Sequence, residues 1–252
     1  MPELPEVETV RAGLERNIVG KEIKSVKQLH PRALRSDSLH TLQIFKGCKV
    51  KAVRRRGKFM WLEFDRPEVL VAHLGMSGQF KIQNANSEYE RHLRANFQLS
   101  SGKELRFIDQ RTFGWLCVDQ IQDDAPDIVS HIALDPFDSN FDKRKVVAEI
   151  SKRRSQIKKV ILDQSIISGI GNIYADEALW YAKIHPEAIS SELSSTQILN
   201  ILTAAQKVMK RALAAGGTSF DELYINVNGE SGYFERSLAV YGREGEPCRR
   251  CG

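Results

Sequence analysis

The feature that most constrains the fold is a change of hydrophobic period partway along the chain. From about residue 21 to 120 the pattern is that of strands. The stretches "VKAVRRRGKFMWLEF" and "VLVAHLGMSGQFKI" read as strands, and "ANFQLSSGKELRFI" reads as a hairpin. In that hairpin Phe97 and Leu99 alternate before a Ser-Ser-Gly turn, and Leu105 and Phe107 follow it. A helix precedes this half: over 3–19, Val7, Val10, Leu14 and Ile18 recur at helical spacing, and Gly20 ends the run. Between about 122 and 137, acids and two prolines in "IQDDAPDIVSHIALDPFD" break the strand pattern and suggest a linker. The period is then helical. Val147, Ile150, Ile157 and Ile161 fit one face, and Ile198, Leu202, Ala205, Met209 and Leu213 another, with Gly216-Gly217 as a stop. From about 217 the pattern returns to short β-like pieces rich in glycine.

Composition narrows the setting. The chain has 252 residues, 42% of them hydrophobic, which suffices for one large or two modest domains. Cys48, Cys117, Cys248 and Cys251 do not make a secreted disulfide scaffold. Acids stand where an export signal needs an apolar stretch, and no apolar run approaches membrane-spanning length. The expectation is a cytoplasmic protein with no membrane partner. The net charge of +5 is unevenly spread: "KGCKVKAVRRRGK" at 46–58 and "KRRSQIKK" at 152–159 contain no acid. Two basic stretches on two halves suggest a polyanion, and a cleft between the halves could hold a duplex.

The opening "MPELPEVETV" suits a helix start, with Pro2 at the first turn and Glu3, Glu6 and Glu8 against the positive end of the helix dipole. It also suits chemistry. Removal of Met1 would expose a secondary amine, and an α-amino group titrates near ~8 against ~10.4 for lysine. Such an amine attacks electrophilic carbon and yields a cationic iminium, an electron sink for elimination. Glu3 stands beside it to move a proton.

The same stretch resembles the N-terminal signature of the formamidopyrimidine-DNA glycosylases, bacterial enzymes that remove oxidised purines such as 8-oxoguanine. Five further stretches match in order: "RRRGKFMWLEF", "HLGMSGQF", "FIDQRTFGWL", "SGIGNIYADEALW" and "GYFERSLAVYGREGEPCRRCG". Leu4 is similar to this branch, whereas the related endonuclease VIII branch begins Met-Pro-Glu-Gly-Pro. The resemblance implies an α+β fold: an N-terminal β-sandwich led by a helix over 1–125, a helical helix–two-turn–helix domain over 126–217, and a lesion-covering loop with a zinc-ribbon half over 218–252. It implies a bifunctional glycosylase and abasic-site lyase in which Pro2 attacks C1′, Glu3 protonates the sugar, Lys58 donates a proton, and β- and δ-elimination cut the strand. The expected partner is damaged double-stranded DNA, bound by a monomer with the lesion everted.

Resemblance also assigns DNA contacts. Met76, Arg111 and Phe113 match the side chains that fill the gap left by the everted base, at what read as two hairpin tips. The second tip departs from the commoner Asp-Pro-Arg-Arg-Phe-Gly, with Gln110 and Thr112 in place of the Pro and the second Arg. His92, Arg154 and Lys158 match basic contacts, and Asn172 and Tyr174 are expected to donate to phosphates at a helix start. Thr218, Ser219 and Tyr233 are base-pocket candidates within a lid-like segment. Cys248 and Cys251 are half of the four-cysteine zinc ribbon, whose second pair would lie roughly 15–20 residues on. The sequence stops at Gly252, so zinc, the family's expected cofactor, is doubtful for this chain. A competing expectation is therefore a damaged-DNA-binding protein with impaired catalysis. An RNA-binding module is disfavoured, because no aromatic-rich single-strand platform is visible.

Overall fold

The structure is a computed structural model that describes residues 2–216 and 237–252. Helix α1 (Leu4–Ile18) leads into nine strands: β1 (Ile23–Gln28), β2 (Val50–Arg56), β3 (Phe59–Phe64), β4 (Arg66–His73), β5 (Gly78–Asn84), β6 (Leu93–Leu99), β7 (Lys103–Asp109), β8 (Trp115–Gln122) and β9 (Ala125–Pro126). They form two antiparallel sheets, ordered β1-β6-β7-β5 and β2-β3-β4-β8-β9. Between the sheets and α1 lies one core that includes Val7, Leu14, Ile18, Met60, Leu70, Phe80, Phe97 and Phe107. The alternation of Phe97, Leu99, Leu105 and Phe107 is the pleat of β6 and β7, which turns these side chains to that core. The β6–β7 hairpin forms as expected, with Phe97 opposite Leu105.

The two expected hairpin tips are not hairpins. His73 ends β4 in the five-stranded sheet, and Gly78 opens β5 in the four-stranded one; Asp109 and Trp115 reverse that crossing. Each loop arches between sheets. Alternation reports which face a residue takes but not which sheet its strand joins, so the sequence pattern could not separate an arch from a hairpin. The two arches lie against each other: a Cβ on Gly75 would stand 2.4 Å from the Phe113 carbonyl carbon. The buried Asp109 carboxylate ties them, accepting from the Ser77 hydroxyl, from the Arg111 N–H at 3.2 Å and from the Gly114 N–H at 2.8 Å.

The helical half comprises α2 (Lys143–Ser151), α3 (Ile157–Ile161), α4 (Asn172–Ala182) and α5 (Ser195–Ala214). The single face expected from Val147 to Ile161 is split over α2 and α3. Residues 153–157 turn instead to a neighbouring segment: Ser190 N–H donates to Ser155 O, Ser191 N–H to Arg153 O, and Ile157 N–H to Ala188 O. A second core gathers Val147, Ile150, Ile157, Ile161, Tyr174, Ile198, Leu202 and Met209. Leu4 belongs to this helical core, although the rest of α1 packs in the sandwich. The expected linker is itself packed: Ala125, Val129 and Ile132 cover Trp61, Val69 and Val71.

Residues 237–252 form turns, not the expected β-like pieces. Their backbone is claimed by a side chain: Glu177 of α4 accepts from the N–H groups of Ala239, Val240 and Tyr241 at 2.8–3.1 Å. Among the described residues no helix is long and apolar enough to cross a membrane.

Candidate functional site

The site is built where the start of α1 meets the start of α4. Gly169 and Gly171 allow the approach. A Cβ on Gly169 (φ +90°) would strike Leu4, and one on Gly171 would stand 2.4 Å from Glu3 Cδ. Leu4 N–H donates to Gly169 O at 3.0 Å. The Glu3 carboxylate then caps α4 from outside, accepting from Gly171 N–H at 2.6 Å, Ile173 N–H at 2.8 Å and Tyr174 N–H at 3.4 Å. Orphan amides at a helix start suit an anion. Burial nevertheless dominates: Glu3 is 3% exposed, and desolvation, with Glu6 adding to it, raises its pKa to about 7 against the pull of Lys58 and the N–H donors.

Lys58 stands in the tight turn between β2 and β3, behind Gly57 (φ +56°). It is buried, which pushes its ammonium below the ordinary lysine range while Glu3 and Glu6 pull it back up. Glu3 and Lys58 line one cavity of about 220 Å³ with Asn172 and Tyr241. Pro2 is buried with Met1 still in the sequence. The β2–β3 turn is clasped to the helical half. Arg55 donates to the buried Asp135 at 2.8 Å and to Gly57 O at 3.0 Å, and Gly57 N–H donates to Asp135 at 3.2 Å.

Tyr174 requires a correction. It is fully buried, and its hydroxyl donates to Glu6 Oε1 at 2.8 Å, so the expected phosphate contact does not fit its position. A helix-start tyrosine in sequence gives no sign of which face it takes. Asn172, the first residue of α4, is exposed beside the cavity. Arg154 is exposed between α2 and α3, and Lys158 pairs with Asp176 at 2.6 Å. His92 is half-buried beside the arches, its carbonyl accepting from Asp109 N–H. Met76 is 37% and Phe113 54% exposed, so neither is core, and Arg111 is exposed as well. Thr112 holds φ +55°, a left-handed conformation unusual for a branched residue. Thr218, Ser219 and Tyr233 lie outside the described residues.

Part of each basic stretch is neutralised by acids distant in sequence: Arg55 by Glu8 and Asp135, Arg56 by Asp124, Lys158 by Asp176. Sequence reasoning passed over Glu6, which it took as a helix-dipole acid, and also His73 and Tyr241. The His73 ring lies between Phe59 (4.8 Å) and Trp115 (5.6 Å), and its Nδ1 accepts from Gly75 N–H. Burial, with Lys58 and Arg35 nearby, pushes it down to about 4, so it is a neutral Nε2–H donor at neutral pH. The only signal available was a histidine at a strand end before a glycine turn.

Cys248 is partly exposed and Cys251 exposed. Backbone N–H groups of Arg250 and Cys251 draw the Cys248 thiol down to about 7. Two thiols do not close a tetrahedral structural site, and no group of three or more potential ligands occurs among the described residues. These residues do not fit zinc by themselves.

Comparison with known proteins finds the same features elsewhere. Residues 1–116 match the formamidopyrimidine-DNA glycosylase N-terminal domain and residues 132–222 the formamidopyrimidine-DNA glycosylase H2TH domain. The chain is 50% identical to the formamidopyrimidine-DNA glycosylase of Thermobifida fusca, covering 100% of this chain and 90% of that protein. It is 53% identical to that of Rhodococcus opacus, with the same coverage. Among solved structures it resembles the Lactococcus lactis Fpg in complex with abasic-site DNA (TM-score 0.85, 31% identity, 99% of this chain and 91% of that one). It also resembles MutM in complex with carbocyclic 8-oxo-G DNA (TM-score 0.85, 32% identity, 100% and 92%).

Proposed function

The chain belongs to the formamidopyrimidine-DNA glycosylase family, and from that premise we infer that its DNA glycosylase activity, the excision of oxidised purines, runs through Pro2, Glu3 and Lys58. Removal of Met1 frees the Pro2 nitrogen. Its lone pair attacks C1′ of the everted nucleotide, the glycosidic bond breaks with its electron pair leaving on the base, and the proton shed by the new ammonium neutralises that base. Glu3 gives a proton to the sugar ring oxygen, and the opened sugar remains bound to Pro2 as an iminium. Loss of a C2′ proton then expels the 3′ phosphate, and a second elimination expels the 5′ phosphate.

The observation that carries this reading is the Glu3 carboxylate, buried on the amides of α4 and facing the same cavity as Lys58. A carboxylic acid titrating at about 7 holds a proton for donation at neutral pH and can take it back. Asn172, Arg154 and Lys158 hold the backbone of damaged duplex DNA. Met76, Arg111 and Phe113, presented on two mutually braced arches, fill the vacated stack. The chain acts as a monomer in the cytoplasm.

Borohydride trapping on an 8-oxoguanine duplex tests the reading. A covalent adduct is expected from the Met1-free protein. Pro2→Gly is expected to trap poorly, and Glu3→Gln to bind the lesion while excising little. A lesion binder without turnover gives no adduct, and that result would sink the assignment. The intact mass reports whether Met1 has been removed.

A further inference from the structure

Tyr174 touches both acids at the start of α1. Its backbone N–H faces Glu3 Oε2 at 3.4 Å, and its hydroxyl donates to Glu6 Oε1 at 2.8 Å. The other Glu6 oxygen, Oε2, accepts from the Glu3 N–H at 2.9 Å. That N–H belongs to the peptide joining Pro2 to Glu3. Tyr174, Glu6 and Glu3 are all buried, so these hydrogen bonds stand where water would otherwise be needed. A hydroxyl on a carboxylate in such surroundings is among the stronger hydrogen bonds.

We propose that Tyr174 is a positioning residue of the active site: its hydroxyl orients the Glu6 carboxylate, which holds the Pro2–Glu3 peptide plane and so aims the Pro2 nitrogen at the sugar. The proposal rests on the assignment of Pro2 as nucleophile. The hydroxyl reaches from α4 in the helical half to α1, so the nucleophile is aimed from a different domain than the one that carries it. Leu4 in the helical core and its N–H on Gly169 O hold the same junction one residue further on. Glu6 bonds the Pro2–Glu3 peptide itself, and Tyr174 bonds Glu6. Misplacement of a reacting atom by about 1 Å costs on the order of a hundredfold in rate.

The test compares parent, Tyr174→Phe, Glu6→Gln and Glu6→Ala, all with Met1 removed. The readouts are single-turnover excision of 8-oxoguanine, borohydride trapping on a preformed abasic site, and affinity for a duplex with an uncleavable tetrahydrofuran abasic analogue. Tyr174→Phe is expected to slow both excision and trapping by about ten- to a hundredfold, with affinity within about twofold of parent. Glu6→Ala is expected to match it, and the double variant Tyr174→Phe/Glu6→Ala to be no worse than either, because the two residues act in series. Glu6→Gln still accepts the Glu3 N–H and is expected to lose less than Glu6→Ala. A Tyr174→Phe protein that melts earlier but excises at the parental rate overturns the proposal, as does one that loses affinity and not rate. If Tyr174→Phe does not fold, equal rates for Glu6→Gln and Glu6→Ala overturn it. A parent that excises without trapping removes the Pro2 assignment itself, whereas a parent that traps beside an equally fast Tyr174→Phe removes only the role given to Tyr174.

Discussion

Helix α4 meets both ends of the chain, and the two ends reach a similar acidity by opposite routes. At its start lies Glu3, buried and held by three backbone N–H groups, with its pKa raised to about 7. Further along, Arg250 lies 4.1 Å over the Trp180 ring and donates to the Trp180 carbonyl, which docks the turn carrying Cys248 and Cys251. There the Cys248 thiol is drawn down to about 7 by N–H groups of its own turn. The carboxylate is lifted because burial penalises its charge, and the thiol is lowered because donors favour its anion. Both shifts couple titration to stability, but with opposite sign: the carboxyl's contribution is lost as pH rises through about 7, and the thiol's is lost as pH falls through about 7. A pKa near neutrality therefore marks a tertiary site at one end of the chain and a local turn at the other.

The sharpest way to break this contrast is at Glu3. Glu3→Gln is expected to lower single-turnover excision by about 10²–10⁴-fold, the usual contribution of a general acid, while Cys248→Ser leaves that rate unchanged. Comparable losses from the two substitutions would end the distinction.

Stability against pH gives the next largest effect. The folded-state pKa of Glu3 stands above its ordinary 4.5, so its contribution is fully present below about 4.5 and is lost as pH rises through about 7. The shift corresponds to about 3 kcal/mol at most. Urea unfolding is expected to show parent stability declining from about pH 5 to 8, with the decline flattened in Glu3→Gln. An unchanged slope in the variant would assign that titration elsewhere.

Gly171→Ala sharpens the same comparison from the opposite side of the contact. Its Cβ would press into the Glu3 carboxyl carbon, and overpacking of this kind costs about 1–3 kcal/mol. Thermal unfolding and excision are both expected to suffer. The smallest effect belongs to the thiols: one alkylation step is expected to rise with a midpoint near pH 7, and Cys248→Ser to remove that step while exposed Cys251 is still alkylated. A midpoint near 9, the ordinary thiol value, would show that the turn donors do not act on Cys248.

Much of this was legible in the residues alone. The β6–β7 hairpin, α1 and α5 follow from period and stop signals, since hydrophobic spacing records which face meets the core. Glu3 and Lys58, which line one cavity, could be singled out in the sequence because their residue types and surrounding motifs are local. What failed was non-local. The arches holding Met76 and Phe113 read as hairpin tips because sheet membership leaves no trace in alternation. Tyr174 read as a phosphate donor because its partner, Glu6, stands 168 residues away in sequence.

By itself the sequence determined the two-part architecture, the family and the residue types at the start of α1, because each is written in short stretches whose period or motif needs no distant partner. The tertiary structure alone decided that Glu3 holds its proton near neutrality, that Tyr174 turns inward to Glu6, and that two arches brace each other across Gly75. Those depend on which groups lose water together, and burial is a property of the assembled fold rather than of any segment within it.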